Sequence, residues 1–145
     1  MSGRLKVIDL LEAERRGVLF VSSKNSVRSQ MAEGFARYFA PSSISIASAG
    51  VEAGKLDPMA VQVMKELQID ISNHRAQSLE QADLSSVAVV ISLCPKELVP
   101  DLPAHIKHLP IPVAHPKDTH GSDQEKVDDY RRTRDMVREV VSTLL

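Results

Sequence analysis

The chain is poor in the residues that staple, stack and span. Of its 145 residues one is cysteine, Cys94; none is tryptophan, and aromatics make up 3%. A single thiol cannot close an intramolecular disulfide, which excludes a disulfide framework, an internal thiol relay and a cysteine-built zinc site. No apolar run approaches the ~18 residues that would span a bilayer, and the start Met1-Ser2-Gly3-Arg4 lacks the apolar segment of a secretion signal, so a cytoplasmic location is expected. Charge of one sign is missing too: 18 Lys and Arg stand against 19 Asp and Glu, for a net charge of -1. Nucleic-acid and membrane-surface binders rest on a basic excess, so neither partner is expected. There is no repeat, low-complexity tract or linker. What is present, 43% hydrophobic residues, suffices for one globular domain.

The stretch that organises this domain runs from Val18 to Ser29. Val18-Leu19-Phe20-Val21 suits a buried strand, and a helix begins near Arg28 and continues through Gln30-Met31-Ala32-Glu33. Between them Ser22-Ser23-Lys24-Asn25-Ser26-Val27 is a polar loop. A loop feeding a helix start gathers unpaired backbone N–H groups at the positive end of the helix dipole, and Lys24 and Arg28 add full charge. The segment reads as an anion cradle for a small oxyanion or a phosphorylated group.

The remaining pattern predicts alternating strands and helices. Residues Arg4 to Arg16 place Leu5, Ile8 and Leu11 on one side, with Lys6, Asp9, Glu12 and Arg16 elsewhere, as in a short amphipathic helix. It could pack on its own domain or serve as the contact for a protein partner or a second copy. The first-loop helix presents Met31, Phe35 and Tyr38 or Phe39 on one apolar face. Strands are predicted at Ile44 to Gly50, Val87 to Leu93 and Lys107 to Pro112. Helices are predicted after the cap Asp57-Pro58, at Leu79 to Leu84, and from Asp123 with Val127, Tyr130, Arg134, Val137 and Val141 on one face. Strands separated by helices make an α/β fold, a doubly wound four-stranded parallel sheet with helices on both faces. If the first strand is central, the cradle lies at the switch point where such sheets bind ligands.

The motif resembles the phosphate-binding loop of the low-molecular-weight protein tyrosine phosphatases and the thioredoxin-coupled arsenate reductases. Asn25, Ser26, Arg28 and Ser29 match that loop. Ser29-Gln30-Met31-Ala32-Glu33-Gly34, Ser48-Ala49-Gly50, Gly121-Ser122-Asp123 and Tyr130-Arg131-Arg132-Thr133-Arg134-Asp135 match further stretches in order. The resemblance covers residues 17–145 and leaves 1–16 as an extension. It implies Ser23, Lys24, Asn25, Ser26, Val27 and Arg28 as the oxyanion-binding loop, with Ser29 at the helix start.

The departures bear on chemistry. The family's nucleophilic cysteine is Ser22, its loop glycine is Lys24, a second loop cysteine is Val27, and a third redox position is Val99. The general-acid aspartate corresponds to His115 of His115-Pro116. A thiolate works because the positive field lowers its pKa from about 8.5 into the neutral range, and a hydroxyl cannot be ionised that way. The expectation is therefore an oxyanion-binding domain that has lost catalysis, needing no cofactor. The alternative is a working phosphatase or arsenate reductase using Ser22, or Cys94 with an external thiol. Asn25 and Ser26 are expected to staple the loop, and Lys24 to strain it if its φ is positive. Cys94 is expected to be a small core hydrophobe. His105, His108, His115 and His120 cluster, but their spacing fits no metal-ligand pattern.

Overall fold

The computed structural model describes residues 6–11, 14–116 and 121–145. Four parallel strands, β1 (Gly17–Ser22), β2 (Ser45–Gly50), β3 (Val87–Ser92) and β4 (Lys107–Pro110), lie in the order β2-β1-β3-β4. Three α-helices accompany them, α1 (Arg28–Phe39), α2 (Pro58–Lys65) and α3 (Asp123–Leu144), with 3-10 turns at Val7–Leu10 and Lys96–Leu98. The expected four-stranded parallel sheet of an α/β fold is present, and its first strand is central.

Burial follows position in the sheet. Every residue of β1 and β3 is buried, whereas β2 starts exposed at Ser45 and β4 is at most half-buried. Along β1 the pleat sends Val18 and Phe20 to one face and Leu19 and Val21 to the other. The first pair joins Met31, Ala32, Phe35 and Ala36 of α1, Val63 and Met64 of α2, and Val137 and Val141 of α3. The second pair meets Ala49, Leu79, Val90 and Ile106. All three α-helices thus feed one face, and the other is covered by the turns around residues 78–84 and 99–106.

Local signals explain the helices. Asp57 caps α2 by accepting from Met59 N–H at 2.8 Å, with Pro58 at the first helical position. Ser122 caps α3 by accepting from Glu125 N–H at 3.2 Å. Gly34 lets α1 approach closely: a Cβ there would stand 2.8 Å from Ile71 Cγ2 and 3.1 Å from Met64 Cε. Arg131 and Arg134 both reach Glu66, at 2.6 and 2.8 Å, and Arg134 also donates to Val63 O. The hydrogen bond from Arg131, reinforced by Arg134, pulls the Glu66 carboxyl down to about 2.

Several expectations are corrected. The helix from Arg4 to Arg16 reduces, among the described residues, to one 3-10 turn ending at Leu11 in an extended conformation. Val7 is fully buried in the core while Ile8 is 49% exposed, the reverse of the expected face. So short a segment cannot hold a helix alone, and one inserted side chain decides its shape. Arg4, Leu5 and Glu12 lie outside the described residues. The core face of α1 ends at Ala36, leaving Tyr38 74% exposed and edge-on to Phe39. Leu79 to Leu84 is not a helix: Gly50 N–H donates to Gln77 O and Leu79 N–H to Gly50 O, both at 2.8 Å, so residues 77–79 pair beside the end of β2 and the chain then turns. The last strand stops at Pro110.

Candidate functional site

Residues 23–27 join the end of β1 to α1. Their carbonyls are held from outside by the segment that follows β2: Val51, Glu52, Gly54 and Asp57 donate their N–H groups to the carbonyls of Ser22, Ser23, Lys24 and Ser26, at 2.8–3.1 Å. This close run requires Gly50, where a Cβ would stand 2.7 Å from Asn25 N. With the carbonyls engaged, the backbone N–H groups from Ser23 to Arg28 find no protein acceptor among the described residues. The first residue before α1, Val27, supplies no side-chain cap. A 12-residue helix therefore points an uncapped positive end at the loop.

The loop bends at Asn25, with φ of 56°, and Lys24 is not left-handed. The strain expected at Lys24 is thus carried one residue later by a side chain that tolerates it. Asn25 is fully buried. It donates to Ser29 Oγ at 2.8 Å and Ser48 Oγ at 3.0 Å, and accepts from Gln30 Nε2 and Gln77 N at 3.1 and 3.0 Å. Ser48 in turn donates to Glu33 Oε1 at 2.6 Å, and Glu33 Oε2 lies 3.0 Å from Arg37 and 3.5 Å from His74. His74 returns to Gln30 Oε1 at 3.0 Å. This closed polar network behind the loop was not foreseen, since its members span positions 25 to 77. The one signal was the density of polar residues in Ser29, Gln30 and Glu33 on a helix with an otherwise apolar face.

Arg28 is 6% exposed. Its Nη1 donates to Leu93 O at 3.1 Å and Val113 O at 3.0 Å, and its Nη2 to Ser23 Oγ at 3.2 Å. Its Nε is buried and has no partner. No carboxylate pairs with this guanidinium among the described residues, and arginine cannot shed its charge to relieve the cost. Burial pulls its pKa down, opposed by the Cys94 sulfur.

These groups line a cavity of about 490 Å³, walled by Ser22, Ser23, Lys24, Ser26, Val27, Arg28, Lys55, Leu56, Asp57, Pro58 and His115. Every sequence-selected residue except Asn25 and Ser29 therefore reaches the wall, and those two sit behind it as supports. Lys55, Leu56 and Pro58 were missed, and Asp57 was read as a helix cap alone. The available signal was topology: the segment after β2 must pass the loop after β1 when those strands are neighbours.

The chemistry at Ser22 is set by one contact. Its Oγ lies 2.6 Å from Ser29 Oγ. Ser29 already accepts from Asn25, so the arrangement that uses its own hydrogen has it donating to Ser22. Among the described residues no imidazole or carboxylate hydrogen-bonds Ser22. His115 stands at the cavity wall with its pKa lowered by burial and by Arg28, against an opposing pull from Asp57. Cys94 is fully buried, and burial pushes its thiol up despite Arg28. Elsewhere His108 pairs with Ser92 Oγ at 2.7 Å and His105 with Leu84 O at 3.0 Å. No cluster of three His, Cys, Asp or Glu suited to a metal occurs among the described residues, and His120 lies outside them.

A model of the low molecular weight phosphotyrosine protein phosphatase family matches residues 17–145. An arsenate reductase of Bacillus subtilis (strain 168) is 35% identical over 126 residues, covering 86% of this chain and 91% of that protein. Among solved structures, an arsenate reductase in the phosphate binding state superposes with a TM-score of 0.72 at 32% identity, over 89% of this chain and 95% of the other. A cysteine-to-serine mutant of the YwlE arginine phosphatase, with a phosphorylated active site serine, superposes with a TM-score of 0.69 at 26% identity, over 88% and 92%.

Proposed function

Because the chain belongs to the low molecular weight phosphotyrosine protein phosphatase family, we propose that it is an oxyanion-binding domain that holds a phosphoryl or arsenate group without turning it over. One observation carries the binding half: the buried Arg28 guanidinium lines the cavity with its Nε unpartnered. A tetrahedral oxyanion there satisfies Nε, balances the charge, and accepts from the N–H groups of Ser23 to Arg28 at the end of α1. The loss of turnover rests on Ser22, whose hydroxyl has no base beside it and whose contact with Ser29 would stabilise a thiolate but not ionise an alcohol. Cys94 is no substitute, being sealed from solvent with a raised pKa.

Calorimetric titration with inorganic phosphate tests this, beside assays of aryl phosphate hydrolysis and thiol-coupled arsenate reduction. The expected result is saturable 1:1 phosphate binding, abolished in Arg28→Lys, which keeps a charge but loses the fork, with no turnover above a Ser22→Ala control. Turnover that requires Ser22 would overturn the loss of catalysis. Unchanged phosphate affinity in a folded Arg28→Lys variant would move the binding site elsewhere.

A second reading is favoured by the phosphorylated serine of the YwlE neighbour. Ser22 Oγ would attack the phosphorus of a bound phosphoryl donor, the bond to the leaving group would break, and the serine proton would pass through solvent to the departing oxygen. The resulting phosphoserine would persist, since water has no base to attack it. Intact mass after incubation with acetyl phosphate separates the readings: one added phosphoryl group, absent in Ser22→Ala, supports this reading.

A further inference from the structure

We infer that the cavity selects aliphatic phosphates carrying a second acidic group, recognised by Lys24 and Lys55 at its rim. The inference rests on the oxyanion site proposed above and adds a ligand class to it. The phosphoryl position is already served at the cavity floor by Arg28 and the loop amides, and a cavity of about 490 Å³ is far larger than a bare oxyanion needs. It falls within the range of small-molecule sites.

What lines the rest of the cavity defines the remainder of the ligand. Val27, Leu56 and Pro58 supply short apolar walls, and no Phe, Tyr or Trp is among the lining residues, so nothing stacks on an aryl ring. Lys24 and Lys55 are exposed wall residues from two segments that touch: Gly54 N–H donates to Lys24 O at 2.8 Å, and a Cβ at Gly54 would stand 3.0 Å from Lys24 Cβ. Neither ammonium forms an ion pair among the described residues. The one carboxylate in the wall, Asp57, accepts instead from Met59 N–H at 2.8 Å and Tyr130 Oη at 2.6 Å. Two cations that form no ion pair among the described residues thus stand at the wall of an anion site. A carboxylate or second phosphate a few bonds from the first meets them there, whereas a cationic substituent is repelled.

Titration with a matched pair tests this: 3-phosphoglycerate and glycerol 3-phosphate differ chiefly by a carboxylate, with inorganic phosphate as reference. The parent is expected to bind 3-phosphoglycerate about fivefold more tightly than glycerol 3-phosphate, the effect of one to two exposed ion pairs. In Lys24→Ala/Lys55→Ala that ratio should fall to near one, the ratio being read within each protein so that any loss of phosphoryl affinity common to both ligands cancels. Both lysines are exposed, so the variant is expected to fold, and its thermal midpoint checks this. Equal binding of the pair by the parent, or a preference that survives the double substitution, overturns the inference and leaves the oxyanion site intact. Failure of all three ligands to bind the parent overturns the oxyanion site and the rim with it.

Discussion

Replacing Asn25 by alanine should be among the most damaging single changes in the molecule, although the residue is small and polar. Its side chain makes four hydrogen bonds at 2.8–3.1 Å while fully buried, and its backbone φ is 56°. Ser48 keeps Glu33, Gln30 keeps the carbonyls of Asn25 and Arg75, and Ser29 keeps Ser22, but Gln77 N–H loses its acceptor and Ser29 its donor. Stranding such groups costs ~1–3 kcal/mol, and holding alanine in the left-handed region adds ~1 kcal/mol. The sum, roughly 2–4 kcal/mol, is a large share of the ~5–15 kcal/mol that domains possess. With a urea slope of about 2 kcal/mol/M, the unfolding midpoint should fall by about 1–2 M. Asn25→Gly separates the two effects. It loses the same bonds without left-handed strain, and since glycine's extra freedom offsets part of that gain it should be more stable than alanine by roughly 0.5 kcal/mol. Asn25→Ala within about 0.5 kcal/mol of the parent, or glycine below alanine, would refute the view that this side chain holds the loop in shape.

Two further outcomes follow from the site's electrostatics. Ser22→Cys should alkylate with a midpoint well below the usual ~8.5 of a thiol, because Arg28, the loop amides and the end of α1 favour the thiolate, while buried Cys94 stays unmodified in the same mass spectrum. Adding Ser29→Ala should move that midpoint back up, and an unperturbed Ser22→Cys would contradict the cradle. For pH, His115 and His108 are both lowered in the fold, so the unfolded chain binds more protons near pH 6. Their contribution to stability is full above the unfolded pKa of about 6.5 and lost as pH falls through the folded values. Sulfate, which does not titrate in this range, should raise the His115 pKa on binding. Calorimetry at about pH 6 in buffers of different ionisation enthalpy should then show proton uptake, absent in His115→Gln; no uptake in the parent would place His115 away from the anion.

Local rules reached the elements that carry their own signal. The apolar run ending at Ser22, the polar loop and the helix start at Arg28 are contiguous, so one short reading located the loop that joins β1 to α1. The Asp57 cap was equally plain, because a cap and the N–H it satisfies are two residues apart. The failures share the opposite property. Val7 rather than Ile8 faces the core because of where the segment lies against the sheet. Residues 77–79 lie beside the end of β2, and no helix follows, because Gly50 offers them hydrogen bonds from nearly thirty positions away. Lys55 and Pro58 entered the cavity for the same reason, through carbonyls of the first loop that capture the N–H groups of the segment after β2. Even the loop's strained residue was displaced by one, from Lys24 to Asn25, since only the assembled network shows which side chain is anchored on both sides.

The oxyanion site itself is tested most directly by following backbone amide resonances in a ¹H–¹⁵N correlation spectrum while inorganic phosphate is added. The largest shifts should fall on Ser23 to Arg28, saturate along one binding curve, and be accompanied by a slowed, newly visible Arg28 Nε–H. Amides of the loop that stay still while phosphate saturates, or shifts centred on another surface, would contradict the account.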